Sequence, residues 1–285
     1  MRMRIALKLA YIGTRYHGFQ TQPGVLTIED ELFRALKRLN LFEDRRAARY
    51  SAAGRTDRGV HALSQVVAFD LRRELSEAEF KMLPRMITSV LPDDIWVLAA
   101  AEVPDDFNAR RDATLRRYEY FLLNEGFDVE RMREAAKVFL GRHDFRNFAV
   151  KPQGNTVREV KKIEVHEQGR FLVVDIAASA FVHGMVRKIV SALKRVGWGE
   201  RDIMWLEKLL KLEIEDKIEL APPFGLVLKE VRYDKHDLRF EHDEYVCGRA
   251  AVLLSEQVLR HLTLSEVFEE FKREFLEGEG EDASS

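Results

Sequence analysis

One order of elements occurs twice along the chain, and that duplication constrains the fold more than any other feature. RIALKLAY (4–11) alternates as a half-buried strand does, and TIEDELFRALKRLN follows with Ile28, Leu32, Ala35, Leu36 and Leu39 at helical spacing. Thr27, with Asp30 three residues on, resembles a capping box that opens this helix. A short strand near 49–53, a strand at 64–71, a helix opened by Ser76 and Glu79 that runs to about Leu91, and a strand at 94–102 complete the first set. The second set begins with a strand at 116–123 and a helix at 129–140 stopped by Gly141. A hairpin turns at Glu167-Gln168-Gly169, helices follow at 182–196 and 201–212, and a strand at 224–233 closes the set. Each set spells strand, helix, strand, strand, helix, strand, the ferredoxin-like or RRM-like order.

Two such units place their antiparallel sheets side by side, with helices on one face and a cleft between the halves where loops from each converge. The expected fold is therefore α+β. It has an N-terminal βαββαβ half at 1–104 and a C-terminal half at 105–233, their sheets joined into one mixed sheet. A C-terminal extension at 234–285 is expected to be helical over 253–275 and, in its Gly-, Glu- and Ser-rich end from 277, disordered.

With 46% hydrophobic and 33% charged residues, the chain has the composition of a soluble globular protein. No apolar run reaches the roughly 18 residues of a membrane span, and the N-terminus lacks a signal-peptide cleavage pattern, so a cytoplasmic protein is expected. The single cysteine, Cys247, rules out an internal disulfide and a Cys-based zinc cluster and reads as a small core residue. The net charge of −2 conceals an asymmetry: residues 264–285 hold eight acidic and two basic residues, and the other 263 hold 44 basic against 40 acidic. Basic pairs recur there, at Arg45-Arg46 with Arg49, Arg110-Arg111, Arg116-Arg117, Lys161-Lys162, Arg187-Lys188 and Lys194-Arg195. Taken singly they are solvated surface; gathered around a cleft they suit a polyanion such as RNA.

Chemistry is concentrated in AAGRTDRGVHA, residues 52–62, where Arg55, Thr56, Asp57 and Arg58 stand between two glycines. Gly54 and Gly59 are spaced as in a phosphate loop, but Val60 and His61 stand where that mechanism needs Lys and Ser or Thr. Asp57 and His61 offer only two ligands to a metal, with no third nearby. A paired-carboxylate glycosidase would need a second acid from elsewhere in the fold. A plain turn, its aspartate bonded to its own backbone, is the remaining reading of the loop alone.

Taken with four other segments, this loop resembles the catalytic motif of the TruA family of tRNA pseudouridine synthases. The other segments are YIGTRYHGFQTQPGVLTIEDEL, DDFNARRDATLRRYEYFL, DIAASAFVHGMVRKIVSAL and PPFGLVLKEVRY, and together they cover residues 4–233 in order. The resemblance implies an isomerase that converts uridine to pseudouridine in the anticodon stem-loop of tRNA, needs no cofactor or metal, and works as a homodimer in which one tRNA touches both subunits. It makes Asp57 the catalytic aspartate, Arg55 its neighbour in the loop, Tyr118 the tyrosine that stacks on the target base, and Arg187 the arginine that pairs with the aspartate. A bidentate arginine would both fix the carboxylate and favour its ionised form. Thr56, Arg58, Gly59, His61, Tyr16 and Gln20, with Lys8 and Gln22 more remotely, fall where the family's loops approach RNA. Arg110, Arg111, Arg116 and Arg117 are the phosphate candidates. His183 is read as structural or as an RNA contact.

Three positions depart from the pattern. Phe19 replaces a usual Trp as a smaller aromatic wedge, Arg58 replaces a small residue and either touches phosphate or competes with Arg55 for the aspartate, and the connection after Leu123 is short. Two rival readings keep the scaffold without this chemistry: a non-catalytic RNA-binding protein, and a nucleoside hydrolase or glycosidase with a second essential carboxylate.

Overall fold

The computed structural model describes residues 3–236 and 238–277. The first set of elements is β1 (Arg4–Tyr11), α1 (Ile28–Arg38), β2 (Ser51–Ala52), β3 (His61–Asp70), α2 (Glu77–Thr88) and β4 (Ile95–Glu102). The second is β5 (Leu115–Leu123), α3 (Val129–Lys137), β6 (Gly141–Asp144), β7 (Val157–Gln168), β8 (Phe171–Ala178), α4 (Met185–Gly197), α5 (Ile203–Leu210) and β9 (Leu226–Arg232). A last helix, α6 (Glu244–Glu277), follows. The expected order of elements is present, with differences that have local causes. β6 was not anticipated, because GRHD carries no apolar alternation; it is a strand only by pairing along β7. Helix α4 starts three residues late, at Met185, because its N-cap Gly184 holds the left-handed φ of 76°. Thr27 and Ser76 cap α1 and α2 by accepting from the amides of Asp30 and Glu79.

All nine described strands form one sheet in the order β4-β1-β3-β9-β5-β8-β7-β6, with β2 paired onto β3. Within each half, setting β6 aside, the strands run fourth, first, third, second in chain order. One parallel pairing joins the halves, β3 to β9, through His61 opposite Val227 and Ala62 opposite Leu228. β2 takes the same edge of β3 further along, at Val67 and Ala68, so the seam is confined to the two residues that follow the 52–60 loop.

Helices α1 to α5 bury their apolar stripes in one core with Ile5, Leu7 and Leu9 of β1, Val97 of β4 and Ile176 of β8. Helix α6, in the extension that follows those two sets, lies on the other face of the sheet. Alternation along β4 turns Trp96 and Leu98 to the opposite face, where Val246 and Ala250 of α6 cover them together with Ala10. The helix begins nine residues earlier than the apolar pattern suggested. Of the expected disordered end, Glu277 closes α6 and 278–285 lie outside the described residues.

Several of the basic residues are consumed inside the fold. Buried Arg4 donates to Asp70 at 2.6 Å and to the Phe107 carbonyl, Arg49 reaches both Asp70 and Asp105, and Arg45 pairs with buried Glu29. The Arg4–Asp70 pair ties β1 and β3 to the segment that leads into the second half. Replacing Asp70 by Ala leaves the Arg4 cation buried without its carboxylate, and a loss of about 3–5 kcal/mol in denaturant unfolding is expected.

His61 sits on the seam. Its Nδ1 accepts from the Gly13 amide at 3.0 Å, which assigns the proton to Nε2, 3.1 Å from the Phe224 carbonyl. Burial holds its pKa below the ordinary value of 6.5. The unfolded chain therefore takes up this proton first, so the contribution of His61 is complete above about pH 6.5 and is lost as pH falls below it. His61→Phe is expected to cost about 1–2 kcal/mol at pH 7.5. It should also flatten the decline of melting temperature between pH 7 and pH 5.

Candidate active site

The loop that carries Asp57 is fastened at nearly every peptide. The Ala53 amide donates to the Val66 carbonyl, and the Ala53 carbonyl accepts both Nε and Nη2 of Arg116 at 3.1 and 2.7 Å. Buried Gln65 donates to the Gly54 carbonyl, the Phe19 amide donates to the Thr56 carbonyl, and the Gly59 amide donates to the Tyr16 carbonyl. A turn closed by the Val60 amide on the Asp57 carbonyl uses Gly59 at φ 78°, a conformation that a side chain would strain. The loop after β1 lies directly against this one. A Cβ on Gly13 would stand 2.0 Å from the Val60 carbonyl oxygen, so the approach requires glycine. Donors and acceptors fixed in this way need no rearrangement when charge moves nearby.

Asp57 is 22% exposed and its two oxygens are treated differently. Oδ2 faces Nη1 of Arg187 at 3.4 Å, and Arg187 is itself anchored by Nε donating to the Ala221 carbonyl at 2.6 Å. In place of the expected bidentate pair there is a single contact through Nη1, with Nε committed to that carbonyl. Oδ1 faces Nε2 of His183 at 3.2 Å. His183 precedes the N-cap of α4 and Arg187 lies in its first turn, so two residues four apart converge on one carboxylate. The sequence reading set His183 aside as structural or as an RNA contact; nothing in the local pattern marks it as a neighbour of Asp57.

Tyr118 reaches the same place through the sheet. It lies opposite Leu228 on β9, which lies opposite Ala62 on β3, so two strand spacings of about 4.8 Å separate it from the residue that follows His61. Its ring is 9% exposed and meets Phe181 edge-on at 5.2 Å. Burial, and then the charge of Asp57, raise its pKa well above the ordinary tyrosine value, so the ring carries a neutral hydroxyl. A base that takes the C5 proton would need the phenolate, which this environment disfavours.

Other expected contacts resolve into two groups. Arg55, Arg58 and Arg110 are exposed, and among the described residues none makes a hydrogen bond or ion pair through its guanidinium. Arg58 therefore does not compete with Arg55 for Asp57; the arginine on the carboxylate is Arg187. The second group is committed to structure. The Thr56 hydroxyl bonds Tyr11 at 2.8 Å, Gly59 serves the turn, and His61 serves the seam. The Tyr16 hydroxyl is buried on Asp94 at 2.6 Å, and Phe19, expected as a wedge, is buried against Tyr11. Arg117 is turned by strand alternation to the face away from Tyr118, where it pairs with Asp175 at 2.7 Å and Glu119 at 2.8 Å. Arg111 pairs with Asp112, and Arg116 is buried among carbonyls. Lys8, half-buried with its pKa lowered by desolvation, lies near Glu230 and Cys247. Gln22 donates to the His17 carbonyl, and Gln20 is half-buried with no side-chain bond. Among the described residues no three His, Cys, Asp or Glu side chains gather closely enough to hold a metal ion, and no helix is long and apolar enough to cross a membrane.

Comparison with known proteins bears on the same segments. A family model described as tRNA pseudouridine synthase matches residues 8–112 and 135–234. The tRNA pseudouridine synthase A of Methanosarcina acetivorans is 47% identical over 270 residues, covering 94% of this chain and 98% of that protein. The tRNA pseudouridine synthase A of Thermococcus kodakarensis is 40% identical over 274 residues, covering 96% and 100%. Among solved structures, a chain of a Cbf5-Nop10-Gar1 complex is similar at TM-score 0.34 and 15% identity, over 67% of this chain and 45% of that one. The chain belongs to the tRNA pseudouridine synthase family, and it is an isomerase that acts on uridine in tRNA.

Proposed function

We propose that Asp57 is the catalytic carboxylate of this isomerase and that its target uridines lie on the 3′ side of the anticodon stem-loop. The observation that carries the proposal is a carboxylate in a fastened loop, with an anchored arginine on one oxygen and a displaceable imidazole on the other. Isomerisation breaks the bond from uracil N1 to ribose C1′ and joins C5 to C1′; the proton leaves C5 and N1 gains one, so composition is unchanged. Asp57 acts on the ribose, as nucleophile toward C1′ or as base against the sugar, and both roles need it ionised. Arg187, anchored on the Ala221 carbonyl, places a positive charge 3.4 Å from one oxygen of Asp57 and fixes that oxygen's orientation.

The target base leaves the helical stack at a cost of a few kcal/mol. The face of Tyr118, backed by Phe181, offers stacking of about 1–3 kcal/mol, comparable to that cost. Arg55, Arg58 and Arg110, exposed and without a guanidinium partner among the described residues, are assigned to the tRNA phosphates.

The finer features of the architecture follow the same reading. Each half is a ferredoxin-like unit, which the repeated strand order supports. The active form is a homodimer in the cytoplasm, with one tRNA touching both subunits, as the family resemblance implies.

The decisive experiment is tritium release from an unmodified tRNA transcript labelled at C5 of its uridines, with EDTA present. Unaltered protein should release tritium without free uracil, and Asp57→Ala should reduce release to background while binding tRNA within about threefold of the parent. Retained release by Asp57→Ala would reject the assignment. Tyr118→Phe is expected to keep most of the rate, whereas Tyr118→Ala should lose about 10–100-fold, in line with the stacking energy. Alanine at Arg55, Arg58 or Arg110 should each lower the slope of log affinity against log salt by about one. Mapping the product nucleotides would test the placement in the anticodon stem-loop.

A further inference from the structure

We propose that Arg116 is a positioning residue of this enzyme, a buried guanidinium that sets the three cleft-forming segments relative to one another. The proposal rests on the reading of Asp57 as the catalytic carboxylate. A guanidinium has five N–H bonds, and here all five are used. Nε and Nη2 donate to the Ala53 carbonyl at 3.1 and 2.7 Å, Nη2 also to Arg110 at 2.8 Å, and Nη1 to Ala113 at 3.2 Å and Ser179 at 2.5 Å. Every acceptor is a main-chain carbonyl, so the bonds fix backbone rather than neutralise charge. The side chain belongs to a residue only 9% exposed, and burial lowers its pKa from the usual arginine value.

What those carbonyls belong to gives the arrangement its meaning. Ala53 is four residues before Asp57, at the foot of the catalytic loop. Arg110 and Ala113 lie in the segment that exposes the free Arg110 guanidinium. Ser179 follows β8, two residues before Phe181 and four before His183. One planar cation thus spans the carboxylate's loop, a phosphate-contact segment and the segment that backs the stacking tyrosine, while standing two residues from Tyr118 on β5. Planarity matters, since the Ala53 carbonyl is held by two N–H groups of one fork. An ammonium group has three donors and no fork, so lysine cannot reproduce the geometry. With no N–H left over, Arg116 has nothing to offer a phosphate.

Three roles for Arg116 make different predictions, and Arg116→Lys and Arg116→Gln in the full chain separate them. Melting temperature, tRNA dissociation constant, its salt slope, and the single-turnover rate of C5 tritium release at saturating enzyme are measured for each. Positioning predicts a single-turnover rate lower by about 100-fold in Arg116→Lys, the penalty typical of misplacement by about 1 Å. The dissociation constant should stay within threefold and the salt slope should not change. Hydrogen exchange at 54–60 and 180–184 should rise in that variant. A normal rate with weaker, less salt-dependent binding would mark a phosphate contact and overturn the proposal. A lowered melting temperature with a normal rate, or failure of both variants to fold, would assign Arg116 to stability alone and overturn it as well. Asp57→Ala is run in parallel: if it keeps the parent rate, the fault lies with the site assignment and not with the role of Arg116 in holding the loops.

Discussion

Two residue pairs hold the halves of this enzyme in register. His61 and Ala62 on β3 lie beside Val227 and Leu228 on β9, and among the described residues no other strand pairing joins the first set of elements to the second. An edge strand offers unpaired N–H and C=O groups, and each half covers one such edge with the other. Because β2 occupies the rest of that edge of β3, the seam is forced to the end that adjoins the Asp57 loop. The short turn Pro223–Gly225 before β9 and the loop after β1 are drawn to the same point, and His61 bonds both. The surroundings of Asp57 are therefore placed by the pairing of main chains, and the side chains near it inherit their positions.

Rigidity around the carboxylate is the second consequence. Tyr11, Tyr16, Phe19 and Gln65, which surround the loop, are inward-facing residues whose polar atoms or amides bind it from behind. Their work leaves the outward side to Arg55 and Arg58, which are exposed and, among the described residues, have no partner for the guanidinium. Asp57 stands between these regimes, with one anchored partner and one exposed partner. Such a division suits a group that must keep its orientation and still be reached by substrate.

Charge is distributed by the same logic. Most arginines of the N-terminal clusters and of β5 are spent on internal pairs or carbonyls, as with Arg4, Arg45, Arg49, Arg116 and Arg117. A count of basic residues therefore overstates the surface available to RNA. Helix α6 packs its first turns on the opposite face of β4 and β1.

From the sequence alone, the strand and helix order could be read, because apolar period and capping residues are local signals, and that order pointed to one mixed sheet. That Asp57, Tyr118 and Arg187 come near one another was suggested only by resemblance to a known family, since no spacing rule links segments 61 and 130 residues apart. Tertiary structure alone decided which of the flanking residues face outward. Thr56, Tyr16 and Arg117 look as available as Arg55 and Arg58 in the linear chain, yet the first two are buried behind the loop and the third is turned away by strand alternation. The presence of β6, the lateness of α4, the side on which α6 lies, the approach of His183 to Asp57 and the burial of Arg116 were likewise hidden. Each depends on what a backbone group or side chain meets from a distant part of the chain, and pairing of that kind leaves no periodic trace in the sequence that makes it.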